Sequence, residues 1–375
     1  MNIAIIGPAH PLRGGGMSTF NERMAEVLQQ QGHNVAIYSF YLQYPSFLFP
    51  GKSQFTDEPA PKGLTIHSLI NSISPINWLK VGNRIKNEKP DLVIVRYWLP
   101  FMGPALGTIL RRIRGNKHTR ILCIADNVIP HEKRPGDVAF TKYFLKPVDA
   151  FITMSREVEK DLHDYTKKPI QFTPHPLYDN YGSTLSKQDA CKILGLDPAE
   201  KYMLFFGFIR KYKGLDILLE AMDNAHVKAS GVKLIVAGEF YGDKELYEEL
   251  ITKYNLQDRI HLFTEFIPNA EVRNYFSAAD LIVQPYRTAT QSGITQLAYH
   301  FEKPMVVTNV GGLSEVVPDG KTGFVASPDA KSIADCIVKF FEPNSLPGLE
   351  ENIRHEKQKY SWDSFTTALM KTVGF

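Results

Sequence analysis

Short apolar, β-branched runs alternate with amphipathic stretches along the chain. Asn2 to Gly7 is one such run and ends on glycine, and Phe20 to Gln31 then places Phe20, Met24, Val27 and Leu28 at helical spacing. Gly32 closes that helix before a second apolar run, Val35 to Phe40. A strand, a helix and a strand at this spacing predict a right-handed parallel unit. The runs Asp91 to Arg96, Ile121 to Ala125 and Ala150 to Met154 are apolar without alternation, as strands covered on both faces are. The first half therefore reads as a doubly wound α/β domain.

The segment TPHPLYDNYGS, Thr173 to Ser183, has neither period and reads as a linker. A second series follows: YMLFFGFI, VKLIVAGE, RIHLFTEF, ADLIVQPY, KPMVVTN and TGFVAS, with amphipathic stretches between them. The expected fold class is α/β, with two Rossmann-like doubly wound domains facing a cleft. The boundaries fall at residues 1–180 and 181–359, and a C-terminal helix of about 360–375 is expected to pack back onto the first domain.

Composition narrows the setting. A length of 375 residues exceeds the roughly 250–300 at which a single core stops growing, which supports two domains. A net charge of +3 is too mild for a nucleic-acid partner. Cys123, Cys191 and Cys336 lie too far apart for a local metal or redox motif and read as buried, reduced thiols. MNIAIIG opens directly as a strand, and no apolar run approaches the ~20 residues that span a bilayer. The expectation is a cytoplasmic protein without a signal peptide.

Ligands of open α/β sheets bind outside the carboxyl ends of the strands, so the polar residues just after strands come first. Arg13, Gly14, Gly15 and Gly16 precede the helix beginning near Ser18, where free N–H groups attract phosphate or sugar oxygens. A surface loop would carry the same glycines, and the triplet is not the G-x-G-x-x-G of dinucleotide enzymes. Asp126, Asn127, His131 and Glu132 gather polar and titratable groups after a strand, suited to sugar hydroxyls or an acid/base role, or to capping a turn. In FFGFIRKYKGLDILLEAM, Arg210, Lys211 and Lys213 stand between a strand and a helix, as cations of a diphosphate site or of a solvated turn do. Finally, Thr288, Thr290, Gln291 and Ser292 follow ADLIVQPY, and Ser292, Gly293 and Ile294 supply the first N–H groups of the next helix. Those amides fit either a phosphate or an ordinary serine cap.

These four places, together with RGGGMSTFNERMAEVLQQQGHNVAIYS, ADNVIPHE, VVTNVGGLSEVVPDGKTGFV and SFTTALMKTV, resemble the retaining GT-B-fold glycosyltransferases of the bacterial group 1/family 4 type. The resemblance implies a second domain that binds a nucleotide-sugar and a first domain that presents the acceptor. It implies diphosphate contacts from Arg210 and Lys213, from Gly15 and Gly16, and from Ser292, Gly293 and Ile294. Asp126 stands at the family's histidine position and joins Arg210 and Lys213 as a catalytic candidate; Arg13, Asn127 and His131 fall on the acceptor side. The implied reaction retains anomeric configuration, needs no cofactor or metal, and takes a UDP- or GDP-sugar as co-substrate.

Related enzymes carry two glutamates eight positions apart, and here those positions hold Ala289 and Leu297. Thr290, Gln291 and Gln296 lie close by and are the candidates for donor-sugar and ribose contacts. For the acceptor, a saccharide or lipid-linked saccharide of cell-surface or exopolysaccharide assembly is expected. Aromatic and apolar residues beside Lys52, Arg111, Arg112 and Arg114 would suit the inner face of a membrane, or a core with solvated arginines. A nucleotide-sugar 2-epimerase and a non-catalytic sugar-nucleotide binder are the alternatives.

Overall fold

The computed structural model describes residues 1–375 apart from 14–15, 46–53, 58, 130–133, 243, 290–291 and 344. The chain divides into two compact units, Met1–His175 with Trp362–Phe375, and Pro176–Ser361.

In the first unit the elements run β1 (Asn2–Ile6), α1 (Gly16–Gln30), β2 (Asn34–Leu42), β3 (Thr65–Asn71), α2 (Pro75–Glu88), β4 (Leu92–Tyr97) and α3 (Gly103–Arg114). They continue with β5 (Arg120–Ala125), α4 (Asp137–Leu145), β6 (Ala150–Thr153), α5 (Arg156–His163) and β7 (Ile170–Phe172). Among the described residues seven strands form a parallel sheet of order β3-β2-β1-β4-β5-β6-β7, with Ile3 of β1 opposite both Val35 and Leu92. The order reverses direction between β1 and β4. Such a switch point leaves a crevice beyond the strand ends.

One core gathers Ile6, Val95, Tyr97 and Cys123 of the strands with Leu106, Ile109 and Ile113 of α3 and Phe144 of α4. On Phe20 of α1, the rings of Trp362 and Phe365 meet at centroid distances of 5.0 and 5.5 Å.

The second unit begins with α6 (Lys187–Leu194), β8 (Tyr202–Phe206), α7 (Leu215–Met222), α8 (Ala225–Ala229), β9 (Lys233–Ala237), α9 (Lys244–Lys253) and β10 (Ile260–Phe263). Next come α10 (Val272–Ala278), β11 (Leu281–Gln284), α11 (Gly293–His300), β12 (Met305–Thr308), α12 (Leu313–Val316), β13 (Gly323–Ala326), α13 (Ala330–Phe341) and α14 (Leu349–Lys357). The C-terminal helix α15 (Trp362–Thr372) belongs to the first unit. Among the described residues the second sheet has the order β10-β9-β8-β11-β12-β13, so its switch point lies between β8 and β11.

Several details depart from the sequence reading. α1 starts at Gly16, ahead of Ser18, and β3 and β7 add strands that the apolar runs did not mark. β3, TIHSLIN, is an edge strand with one buried residue, Ile70, so it lacks a continuous apolar signal. The segment read as a linker is largely buried, with Thr173 and His175 covered in the first unit and Leu177, Tyr178 and Tyr181 in the second. Cys336 is half-buried, while Cys123 and Cys191 are buried.

Candidate functional site

In the second unit the residues after β8 and β11 converge. β8 ends in apolar residues, and Gly207 then takes φ +91°, a backbone conformation that side chains disfavour. A Cβ on Gly207 would stand 2.9 Å from Lys213 Nζ and 3.6 Å from Ile294 Cδ1, which locates both side chains against this turn. Lys213 closes a short 3₁₀ turn, Lys211–Lys213, that carries the chain into α7. It is 8% exposed, and its Nζ lies 5.8 Å from the centroid of the buried Tyr286 ring.

Burial, and secondarily the charge of Arg210, lowers the Lys213 pKa from its ordinary 10.5 to about 7. Among the described residues no carboxylate offsets the loss of water. Arg210 is exposed, with Cζ 4.8 Å from the Tyr241 ring centroid. The structure thus brings Arg210 and Lys213 into one electrostatic neighbourhood.

α11 starts against the same turn. Ser292 is its N-cap, and its hydroxyl accepts from the Ile294 amide at 3.3 Å and meets the Tyr286 hydroxyl at 3.4 Å. An anion at this helix start would therefore use the Gly293 amide first, with the Ile294 amide already capped. Gly293 is required by a close approach, since a Cβ there would stand 2.7 Å from Cε2 of Tyr178.

Helical residues at i, i+3 and i+7 share a face, which settles the direction of Gln296. Gly293 meets Tyr178, and His300 Nε2 lies 2.8 Å from the Gly182 carbonyl, so Gln296 between them faces the 178–182 segment. It is 1% exposed, and its Oε1 meets no partner among the described residues. Gln296, expected to contact the donor sugar, is thus placed as a buried side chain of this unit. Leu297 is 4% exposed, so a glutamate there would be a buried carboxylate. Thr290 and Gln291 lie outside the described residues.

In the first unit Asp126 directly follows β5, and its amide donates to the Tyr97 carbonyl at 2.8 Å. Its carboxylate accepts from Arg96 Nε at 2.5 Å and from Nη2 at 2.6 Å. Arg96 was missed by the sequence reading. A charged residue in the apolar strand LVIVRY was the available signal, because a buried guanidinium requires a partner. Arg13 and Asn127 are half-buried, Gly16 opens α1 and is exposed, and Gly15 and His131 lie outside the described residues. Among the described residues no group of three or more His, Cys, Asp or Glu side chains could hold a metal ion.

Two family models match the chain: Glycosyltransferase Family 4 over residues 14–177 and Glycosyl transferases group 1 over residues 200–342. The lipopolysaccharide core biosynthesis mannosyltransferase LpsB of Rhizobium meliloti is 30% identical over 212 residues, covering 54% of this chain and 58% of that protein. The putative teichuronic acid biosynthesis glycosyltransferase TuaC of Bacillus subtilis is 21% identical over 346 residues, covering 87% and 85%.

Among solved structures, sucrose-phosphate synthase from Thermosynechococcus elongatus superposes with a TM-score of 0.73 at 19% identity, covering 99% of this chain and 98% of that one. Anabaena HepE in complex with UDP gives a TM-score of 0.72 at 16% identity, with 99% of both chains covered. The two relatives lend no support to an epimerase. With both sheets switching direction at their centres and both family models matched, the chain belongs to the group 1/family 4 glycosyltransferases and has the GT-B fold.

Proposed function

We propose that the protein is a retaining glycosyltransferase that moves a hexose from a UDP- or GDP-sugar to a saccharide or lipid-linked saccharide in cell-surface polysaccharide assembly. The observation that carries this reading is Lys213, a buried amine set beside Gly207 and the start of α11 with no carboxylate partner among the described residues. A donor diphosphate at that turn would supply the missing negative charge. Lys213, Arg210 and the Gly293 amide would then stabilise the leaving nucleotide, in which charge grows as the glycosidic bond breaks. That stabilisation needs neither metal nor cofactor. The LpsB and TuaC names, and the UDP complex of HepE, support a polysaccharide role and a nucleotide-sugar donor.

The test is incubation with a panel of UDP- and GDP-sugars, following nucleotide release and the anomeric configuration of the product. Acceptor-dependent release with retention supports the proposal; inversion, or tight binding without turnover, overturns it. The second outcome would favour a sugar-nucleotide binder, a reading motivated by Ala289 and the buried Leu297 at the positions of the family's glutamates.

A lipid-linked acceptor implies work at a membrane surface, and the arginines of α3 are engaged elsewhere. Arg111 donates to the Gly107 and Tyr143 carbonyls, Arg112 to Asn83, and Arg114 to Asp149 and the Pro147 carbonyl. These three arginines fasten α2, α3 and the α4 region together. Exposed apolar side chains on two of these helices are Ile76 and Leu79 of α2 and Val138, Phe140 and Tyr143 of α4, with exposed Lys80, Lys142 and Lys146 on the same two elements or just after them. We assign an anionic bilayer to that surface. Among the described residues no helix is long and apolar enough to cross a membrane.

A further inference from the structure

The donor chemistry makes no use of the ion pair buried in the first unit. Arg96 lies on β4, where every residue is buried, and is itself 3% exposed. Its two hydrogen bonds to Asp126 run from different nitrogens to different oxygens. Such a fork fixes the plane of a carboxylate as well as its direction, which a lysine could not do.

The guanidinium is itself held in place. Its Cζ stands 4.1 Å from the centroid of the Phe20 ring, and Phe20 is met by His175 at 5.1 Å, Trp362 at 5.0 Å and Phe365 at 5.5 Å. Because Trp362 and Phe365 belong to α15, the last helix of the chain supports the first helix, which in turn supports Arg96. The backbone bond from Asp126 to Tyr97 fixes the other end of the arrangement.

We propose that Arg96 is a positioning residue for glycosyl transfer, holding the Asp126 carboxylate in one plane beyond β5 so that the carboxylate accepts a hydrogen bond from the acceptor hydroxyl. The inference rests on the reading of this unit as the acceptor domain. No bond is made or broken at Asp126 in this role. Its effect is to orient the attacking oxygen, and misplacement by about 1 Å costs on the order of 10²-fold in rate.

The experiment compares full-length wild type with R96Q, R96K, D126N, the R96Q/D126N double variant and Phe20→Leu. The methyl glycosides of mannose, glucose and galactose serve as acceptor probes, with melting temperature and sugar-nucleotide affinity measured alongside. The expected result is that R96Q and D126N each lower kcat/KM for the glycoside on the order of 10²-fold. The donor KM should stay unchanged, and the double variant should be no worse than D126N. R96K should recover part of the loss, and Phe20→Leu should show a smaller one.

Wild-type acceptor kinetics in R96Q, or a loss that adds in full to that of D126N, would overturn the inference while leaving the transferase reading in place. No turnover of any sugar nucleotide by the wild type would overturn the transferase reading itself. If R96Q fails to fold, R96K and Phe20→Leu carry the same kinetic comparison.

Discussion

Arg96 and Lys213 are both buried cations near the carboxyl ends of parallel strands, in sheets whose order reverses in the same way. Arg96 is matched by Asp126 through two hydrogen bonds, whereas among the described residues the charge acting on Lys213 is that of another cation, Arg210. An uncompensated buried charge is costly, and a protein keeps one where a ligand of opposite sign completes it. On the proposed reading, the contrast separates an internal salt bridge, which would orient a carboxylate, from a site that an anionic substrate would complete.

The largest expected effect breaks the open side of this comparison. Lys213→Ala should lower the transfer rate by about 10²–10³-fold, the range for removing one group that stabilises developing charge. Its melting temperature should hold or rise, because the variant removes an unpaired buried charge. Rate assays beside thermal melts check both parts, and a full-rate variant would remove Lys213 from the mechanism.

The next prediction breaks the helix start without touching charge. Gly293→Ala should destabilise by about 1–3 kcal/mol through the clash with the Tyr178 ring, and it should weaken donor binding. The added substitution Tyr178→Ala should recover part of the binding loss, which a double-mutant cycle by calorimetry would show. Two independent losses would mean that the two residues do not meet.

The smallest effect concerns the outer surface. Charge removal at Arg112 alone should change stability by about 0.5 kcal/mol or less. Its vesicle flotation should match the wild type, while replacing Ile76 and Phe140 by serine should weaken flotation on anionic vesicles. The reverse pattern would restore the arginines as the lipid contacts.

Legibility in the sequence followed burial. Central strands such as LVIVRY and KLIVA carry runs of four apolar residues and marked themselves, as did the six strands of the second sheet. β7 did not, because three residues at a sheet edge leave no period to read. Within the candidate site, the positions of Lys213 and the start of α11 were legible because both follow strands of the sheet, where ligands of such folds bind. The Arg96–Asp126 pair was not, since the two residues are 30 apart in sequence and meet only because β4 and β5 are neighbours. The burial of Gln296 was not legible for a related reason. Its position on the helix is in the sequence, but which face of α11 meets residues 178–182 depends on packing.

The Lys213 pKa also sets a pH dependence whose sign is fixed. Its folded pKa of about 7 lies below the ordinary 10.5, so above pH 7 the unfolded chain binds the additional proton and the free protein gains stability as pH rises from 7 toward 10.5. A bound diphosphate favours the charged amine, raises its pKa again and draws a proton from solvent.

The most direct measurement is therefore calorimetry of UDP-sugar binding at pH 8 in two buffers of different ionisation enthalpy. The account predicts uptake of close to one proton per donor bound, with affinity falling up to about tenfold per pH unit above 7, and neither effect in Lys213→Met. Wild-type binding with no proton uptake and a flat pH profile would contradict it.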